Sequence, residues 1–209
     1  MQIAIPLFDG FTATDAIGPY EVLSRLPEAD VRFVASQPGP ITSDTGFLRV
    51  ETDALASTPR PTVILVPGGP NRALPLADAA LLDWLREADR HSTWTCSVCT
   101  GALVLGAAGL LDGCRATTHW MDRSLLPEHG AHPVPARYVF DGKYVTAAGV
   151  SAGIDMALAL AARIAGDDAA RAIQLHIEYD PEPPFDAGSP EKAGPATIAR
   201  VRATAAPRR

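Results

Sequence analysis

Apolar positions along the chain fall into two kinds of run. Short, nearly continuous blocks at residues 2–7, 31–35, 62–66 and 94–98 have the length and β-branched content of buried strands. The run at 62–66, with no polar interruption after its threonine, suits a central parallel strand covered on both faces. Between these blocks the spacing changes. Leu81, Leu82 and Leu85 share one face of a helix over about 77–89. Residues 102–108 are small and apolar on every side, as in a buried helix. Ala-rich segments at 151–164 and 167–179 read as two further helices.

Turn chemistry joins the runs. Phe8-Asp9-Gly10 ends the first strand, and residues 11–19 are a loop leading into a helix over 19–26. Pro19 suits the first helical position there and Glu21 the first turn, which leaves Asp15 in the turn before the helix. Residues 42–50, around Asp44-Thr45-Gly46, read as a hairpin or two short extended pieces. Residues 115–118 form another strand. Tyr138-Val139-Phe140 and Tyr144-Val145-Thr146 pair across a two-residue turn at Asp141-Gly142. The proline-rich stretch 180–190 cannot be helical, and a short helix to Arg202 precedes a disordered end. Strands alternating with helices predict an α/β sandwich on a mostly parallel sheet, as one domain over 1–209 with a surface-wrapping tail from about 180.

Bulk composition narrows the function. The 209 residues carry a formal charge of −6, which argues against a nucleic-acid surface. No apolar run reaches membrane-spanning length and the start lacks the basic, apolar pattern of a signal peptide. Three cysteines fit a reducing cytoplasm rather than a disulfide framework. Cys96-x-x-Cys99 with Cys114 and His119 imitates a zinc set, but such sites sit on hairpins and loops, whereas a strand and an apolar helix intervene here. No metal or organic cofactor is expected. Cys96 reads as core and Cys114 as a small hydrophobe at the start of a strand.

Cys99 is different. Ser97-Val98-Cys99-Thr100-Gly101 joins a strand to a helix and has the form small-x-nucleophile-x-Gly, the cysteine counterpart of a nucleophile elbow. Small neighbours let the backbone crowd into a strained turn, and the following helix N-terminus favours a thiolate. Ligands of parallel sheets bind at the carboxyl ends of the strands, where three loops meet: 8–15, 67–70 and 99–100. In Pro67-Gly68-Gly69-Pro70 the Gly69 N–H, since Pro70 has none, is the candidate to complete with the Thr100 N–H a pocket for negative charge. Asp15 reads either as a turn carboxylate or as the acid–base partner of the thiol, its pKa raised by burial and like charge. His119 is either a base for Cys99 or a histidine satisfied by local hydrogen bonds. Thr100 can hydrogen-bond to the substrate or its neighbours.

Phe8-Asp9-Gly10-Phe11, Asp15-x-x-Gly18-Pro19-x-Glu21, Pro67-Gly68-Gly69, Cys99-Thr100-Gly101 and Thr117-Thr118-His119 together resemble the ThiJ/PfpI superfamily of class I glutamine amidotransferase-like proteins. Within it the chain is most similar to the isocyanide hydratases, through the Asp15 loop, the elbow and the tail Ile177-Glu178-Tyr179-Asp180 with Pro183-Pro184-Phe185-Asp186. The resemblance implies a three-layer, flavodoxin-like sandwich, a homodimer, Cys99 as nucleophile, Asp15 as general acid–base and Thr100 as a hydrogen-bonding neighbour. The implied reaction hydrates an isocyanide to an N-substituted formamide through a Cys99 thioimidate. Proteases of the superfamily carry His after the nucleophile, and this chain has Thr100. Relatives acting on oxoaldehydes usually carry Glu where Asp15 stands. Relatives that regulate transcription carry a helix-turn-helix pair, which this chain is expected to lack. A glyoxalase- or deglycase-like activity and a redox or ligand sensor without catalysis remain the alternatives.

Overall fold

The computed structural model describes residues 1–204. Residues 1–177 gather into one unit, and a second begins at Glu178. The first is built on β1 (Gln2–Pro6), β2 (Asp30–Ala35), β3 (Gly39–Thr42), β4 (Arg49–Ala54), β5 (Val63–Val66) and β6 (Trp94–Val98), with β7 (Arg115–Ala116), β8 (His132–Pro133), β9 (Tyr138–Asp141) and β10 (Tyr144–Ala147) following. Its helices are α1 (Ala13–Leu23), α2 (Ala73–Ala77), α3 (Ala79–Asp89), α4 (Gly101–Ala107), α5 (Ala152–Ala165) and α6 (Asp167–His176). Among the described residues, eight strands form the main sheet in the order β3-β4-β2-β1-β5-β6-β10-β9, parallel except for the outermost pair at each end. The run β2-β1-β5-β6-β10 is the flavodoxin-like order, whose direction reverses between β1 and β5.

Strand alternation sends side chains to two separate cores. Ile3, Ile5, Val63, Leu65, Cys96 and Val98 pack under α1, α5 and α6. Ala4, Ile64 and Val66 face α3 and α4 on the other side. A helix layer thus covers each face: the α/β sandwich expected from the alternation of strands and helices, with the three layers the resemblance implies, is the observed architecture. Cys96 is fully buried core, and Cys114 is half-buried just before β7.

Several elements differ from their sequence expectation. α1 starts at Ala13, so Pro19 lies inside it and Asp15 stands in its first turn. A proline there donates no N–H to the Asp15 carbonyl. The helix survives because it is held by packing: a Cβ on Gly18 would meet Ile154 Cγ1 at 2.9 Å, and one on Gly153 would meet the Pro19 ring at 3.0 Å, so α1 and α5 cross closely at this point. The predicted strand at 115–118 shrinks to β7, which pairs with β8 outside the main sheet, while Thr117 and Thr118 are buried loop. The β9–β10 turn is Gly142-Lys143 rather than Asp141-Gly142, with φ 59° at Gly142, as tight hairpin turns require. α6 stops at His176, with φ 48° at Glu178. In the second unit, residues 180–189 are irregular, and α7 (Pro190–Thr204) is broken by Gly194 at φ 73°. Part of the expected disordered end, residues 205–209, lies outside the described residues.

Candidate active site

The carboxyl ends of the strands beside the order reversal gather three loops. After β1 the chain runs through residues 7–12 into α1. After β5 it runs through Pro67-Gly68-Gly69. After β6 it enters the elbow. The first two are laced together: Thr12 N–H donates to the Gly68 carbonyl at 2.8 Å, and Gly68 N–H donates to Asp15 Oδ2 at 3.0 Å. The glycines are steric requirements. A Cβ on Gly68 would lie 2.5 Å from the Thr100 nitrogen, and one on Gly69 2.5 Å from the Gly10 carbonyl oxygen. Gly101 admits none either, since its Cβ would meet the Val66 carbonyl oxygen at 2.2 Å.

Cys99 has φ 56°, a left-handed conformation that costs a non-glycine residue about 1–3 kcal/mol. Its surroundings hold it there. Its N–H donates to the Ala147 and Ala148 carbonyls at 3.1 and 3.0 Å, and the Thr118 hydroxyl donates to its carbonyl at 2.6 Å. The side chain is buried, and Asp15 is wholly so. Burial is the main cause that lifts the Asp15 carboxyl from its ordinary range to about 7; Asp44 adds to the rise, while the Gly68 N–H and the Cys99 thiol oppose it. Asp15 Oδ1 is buried without a formed hydrogen bond.

The sulfur departs from the sequence expectation of a ready thiolate. Burial, the Asp15 carboxylate and Asp122 all push the thiol pKa up, and N–H donors from Thr100 and Val150 only partly offset them. α4 runs only about two turns behind the sulfur, and desolvation outweighs its end charge. The resting pair is therefore a thiol beside a carboxyl poised to ionise near neutrality. Such a pair can pass one proton between sulfur, carboxyl and a bound molecule.

Gly69 is placed otherwise than expected. Its N–H donates to Thr100 Oγ1 at 2.9 Å, and the Thr100 hydroxyl donates back to the Gly69 carbonyl at 2.9 Å. Both donors are spent on this reciprocal clamp, so the pocket for negative charge is not formed by Gly69. The backbone donors acting on the sulfur come from Thr100 and Val150. Val150 has no sequence signal of its own; it follows Gly149 after β10 and takes φ 43°. His119 is half-buried and stacks on Trp120 at 5.7 Å. A Cβ on Gly149 would meet its ring at 2.5 Å, which puts the imidazole behind the Gly149-Val150 backbone. Its Nδ1 accepts the Met121 N–H at 3.4 Å and lies 3.8 Å from Asp122, itself ion-paired to Arg72. Burial lowers the imidazole pKa, with Asp122 partly opposing. His119 thus lies packed behind this backbone, and the structure brings together Cys99, Asp15 and Thr100. Among the described residues no three His, Cys, Asp or Glu side chains gather as metal ligands.

The DJ-1/PfpI family model matches residues 1–163. The chain is 45% identical to the isonitrile hydratase of Pseudomonas putida over 99% of its own length and 91% of that protein's. It superposes on a ThiJ/PfpI family protein from Pseudomonas syringae with a TM-score of 0.90 at 39% identity, covering 96% of this chain and 84% of that one. It is also 32% identical to the HTH-type transcriptional regulator CdhR of Pseudomonas aeruginosa, over 78% of this chain but only 50% of the regulator.

Proposed function

The chain belongs to the DJ-1/PfpI family, and we propose that it is an isonitrile hydratase, converting an isocyanide R–N≡C to the formamide R–NH–CHO. The observation that carries this reading is the similarity to the Pseudomonas putida enzyme, which spans nearly the whole of both chains. The burial of one thiol against one carboxyl with pKa about 7 supports the mechanism.

The Asp15 carboxylate takes the Cys99 proton as the sulfur bonds to the terminal isocyanide carbon. That same carbon receives the proton from Asp15, which gives the thioimidate R–N=CH–S–Cys99. Asp15, ionised again, removes a proton from water as the water oxygen adds to this carbon and passes that proton to the nitrogen, which gives R–NH–CH(OH)–S–Cys99. Collapse breaks the C–S bond, returns a proton to sulfur and releases the formamide. The substrate gains one water and nothing is oxidised or reduced. Because burial opposes a standing thiolate, proton removal is coupled to attack, and the Thr100 and Val150 N–H groups stabilise the sulfur's negative charge as it develops.

The substrate is a small molecule, and we place the enzyme in the cytoplasm as a homodimer. Three free cysteines suit a reducing compartment. Among the described residues no helix is long and apolar enough to cross a membrane.

The test incubates wild type, Cys99→Ala and Asp15→Asn with cyclohexyl isocyanide in oxygen-18 water and follows product and intact protein mass together. Labelled N-cyclohexylformamide from wild type alone is expected. Undiminished turnover by Cys99→Ala would exclude covalent catalysis at this residue. Absence of formamide from wild type with several isocyanides would exclude the reaction.

A further inference from the structure

Thr12-Ala13-Thr14-Asp15 has the spacing of a capping box, in which the hydroxyl at the N-cap accepts the N–H three residues on and the acidic side chain reaches back to the N-cap N–H. Thr12 is the N-cap of α1, yet its side chain makes no capping bond. Every partner of the box has been redirected. The Asp15 N–H donates to the Thr12 carbonyl at 3.0 Å, the Thr12 N–H to the Gly68 carbonyl at 2.8 Å, and Asp15 Oδ2 accepts from Gly68 instead. The Thr12 hydroxyl points the other way and donates to Asp44 Oδ2 at 3.1 Å.

Asp44 lies in the β3–β4 turn, which is fastened to the loop after β1 from end to end. Gly10 N–H donates to the Thr42 carbonyl at 2.8 Å, Thr42 N–H to Asp9 Oδ1 at 3.0 Å, and Asp44 N–H to the Phe11 carbonyl at 2.9 Å. The Asp44 carboxylate is therefore delivered to Thr12 by a fixed frame. We infer that Asp44 is a positioning residue of the active site: by engaging the Thr12 hydroxyl it holds the capping box open, so that Asp15 faces Cys99 instead of closing back on the start of its own helix.

The inference rests on Asp15 being the acid–base of the proposed reaction. Closing the box would aim the Asp15 carboxylate at the Thr12 N–H and withdraw it from the sulfur. The titratable groups acting on Asp15 are Cys99 from the elbow and Asp44 from this turn, and the Gly68 N–H is the dipole beside it. Asp44 thus has two separable effects, orientation through its hydrogen bond and tuning through its charge.

The test uses the full chain and two readouts. One is kcat and kcat/KM against pH with cyclohexyl isocyanide. The other, independent of turnover, is the Asp15 carboxyl titration by carbon-13 NMR, assigned with Asp15→Asn. Asp44→Ala and Thr12→Val are expected to lower kcat by about 10–100-fold through misplacement of the carboxyl, with circular dichroism unchanged. Thr12→Ser, which keeps the hydroxyl, is expected to restore most of kcat. Asp44→Asn keeps an acceptor for Thr12 but removes the charge, and should move the Asp15 titration and the acid limb of kcat/KM to lower pH together. An Asp15 titration that is the same in wild type, Asp44→Ala, Asp44→Asn and Thr12→Val would overturn the inference, as would wild-type kcat in both Asp44→Ala and Thr12→Val. If wild type hydrates no isocyanide, the reaction fails, and the titration arm alone still decides whether Asp44 sets the state of Asp15.

Discussion

The Thr118 hydroxyl donates to the Cys99 carbonyl at 2.6 Å, across a turn in which Cys99 has φ 56°. This is a buried bond holding a residue in a conformation it would not choose. Thr118→Val keeps the shape and removes the donor, which leaves a buried carbonyl short of a partner. A loss of about 1–3 kcal/mol in urea unfolding is expected, together with slower alkylation of Cys99 by iodoacetamide as the turn relaxes. Unchanged stability and labelling would mean that the strand and helix alone hold the elbow.

Asp15→Asn is expected to trade activity for stability. Loss of general acid–base help should lower kcat by about 10²–10⁴-fold. The stability effect depends on pH. The folded carboxyl ionises near 7 and the unfolded one near 3.8. Between those values the folded state holds more protons than the unfolded state, so this group's contribution falls as pH rises from about 4 to 7 and then levels off. The variant should therefore match wild type near pH 4 and exceed it by about 1–4 kcal/mol above pH 7. Thermal unfolding across that range measures the difference, and a constant offset would contradict a raised Asp15 pKa.

Gly68→Ala should be far more harmful than Gly149→Ala. The first would drive a methyl group to 2.5 Å from the Thr100 nitrogen, which is backbone and cannot step aside. The second meets the edge of the half-buried His119 ring, which can turn. Overpacking of the first kind costs about 1–3 kcal/mol, and here it would also displace the amide that faces Asp15. Parallel measurement of Tm and kcat for the two variants checks the order.

His119→Gln should keep kcat within about tenfold of wild type, well short of the 10²–10⁴-fold of a lost acid–base group. Its ring is hydrogen-bonded by Met121 and packed behind Gly149. A loss equal to that of Cys99→Ala, with the fold intact by circular dichroism, would give the imidazole a direct part in catalysis.

The elbow was readable because its geometry is local: five consecutive residues require a strand, a turn and a helix. Asp15 was readable as a candidate, but its setting was not. Pro19 is a strong helix-start signal, and only the close crossing of α1 and α5 at Gly18 and Gly153 explains a proline six residues inside the helix. The two adjacent glycines carry no mark of which amide serves which partner: the missing N–H of Pro70 points to Gly69 as the donor toward Cys99, whereas Gly69 bonds Thr100 and Gly68 meets Asp15. Val150 reaches the sulfur from a loop some fifty positions along the chain, placed by the parallel pairing of β10 with β6. The preference for thiolate failed for a different reason. Sequence displays a helix start but not the depth at which the sulfur is buried.

Pro19 has a consequence for local motion. With no N–H to return to the Asp15 carbonyl, it removes one of the bonds that tie the first turn of α1 to the turn above it. That first turn is fastened instead to the loop after β5, through the Thr12 and Gly68 amides. The two segments are therefore expected to open as one unit in hydrogen exchange. The Thr12 and Gly68 amides should then exchange at matching rates, the carboxyl and the glycine loop that receives it coming apart, or staying closed, as one body.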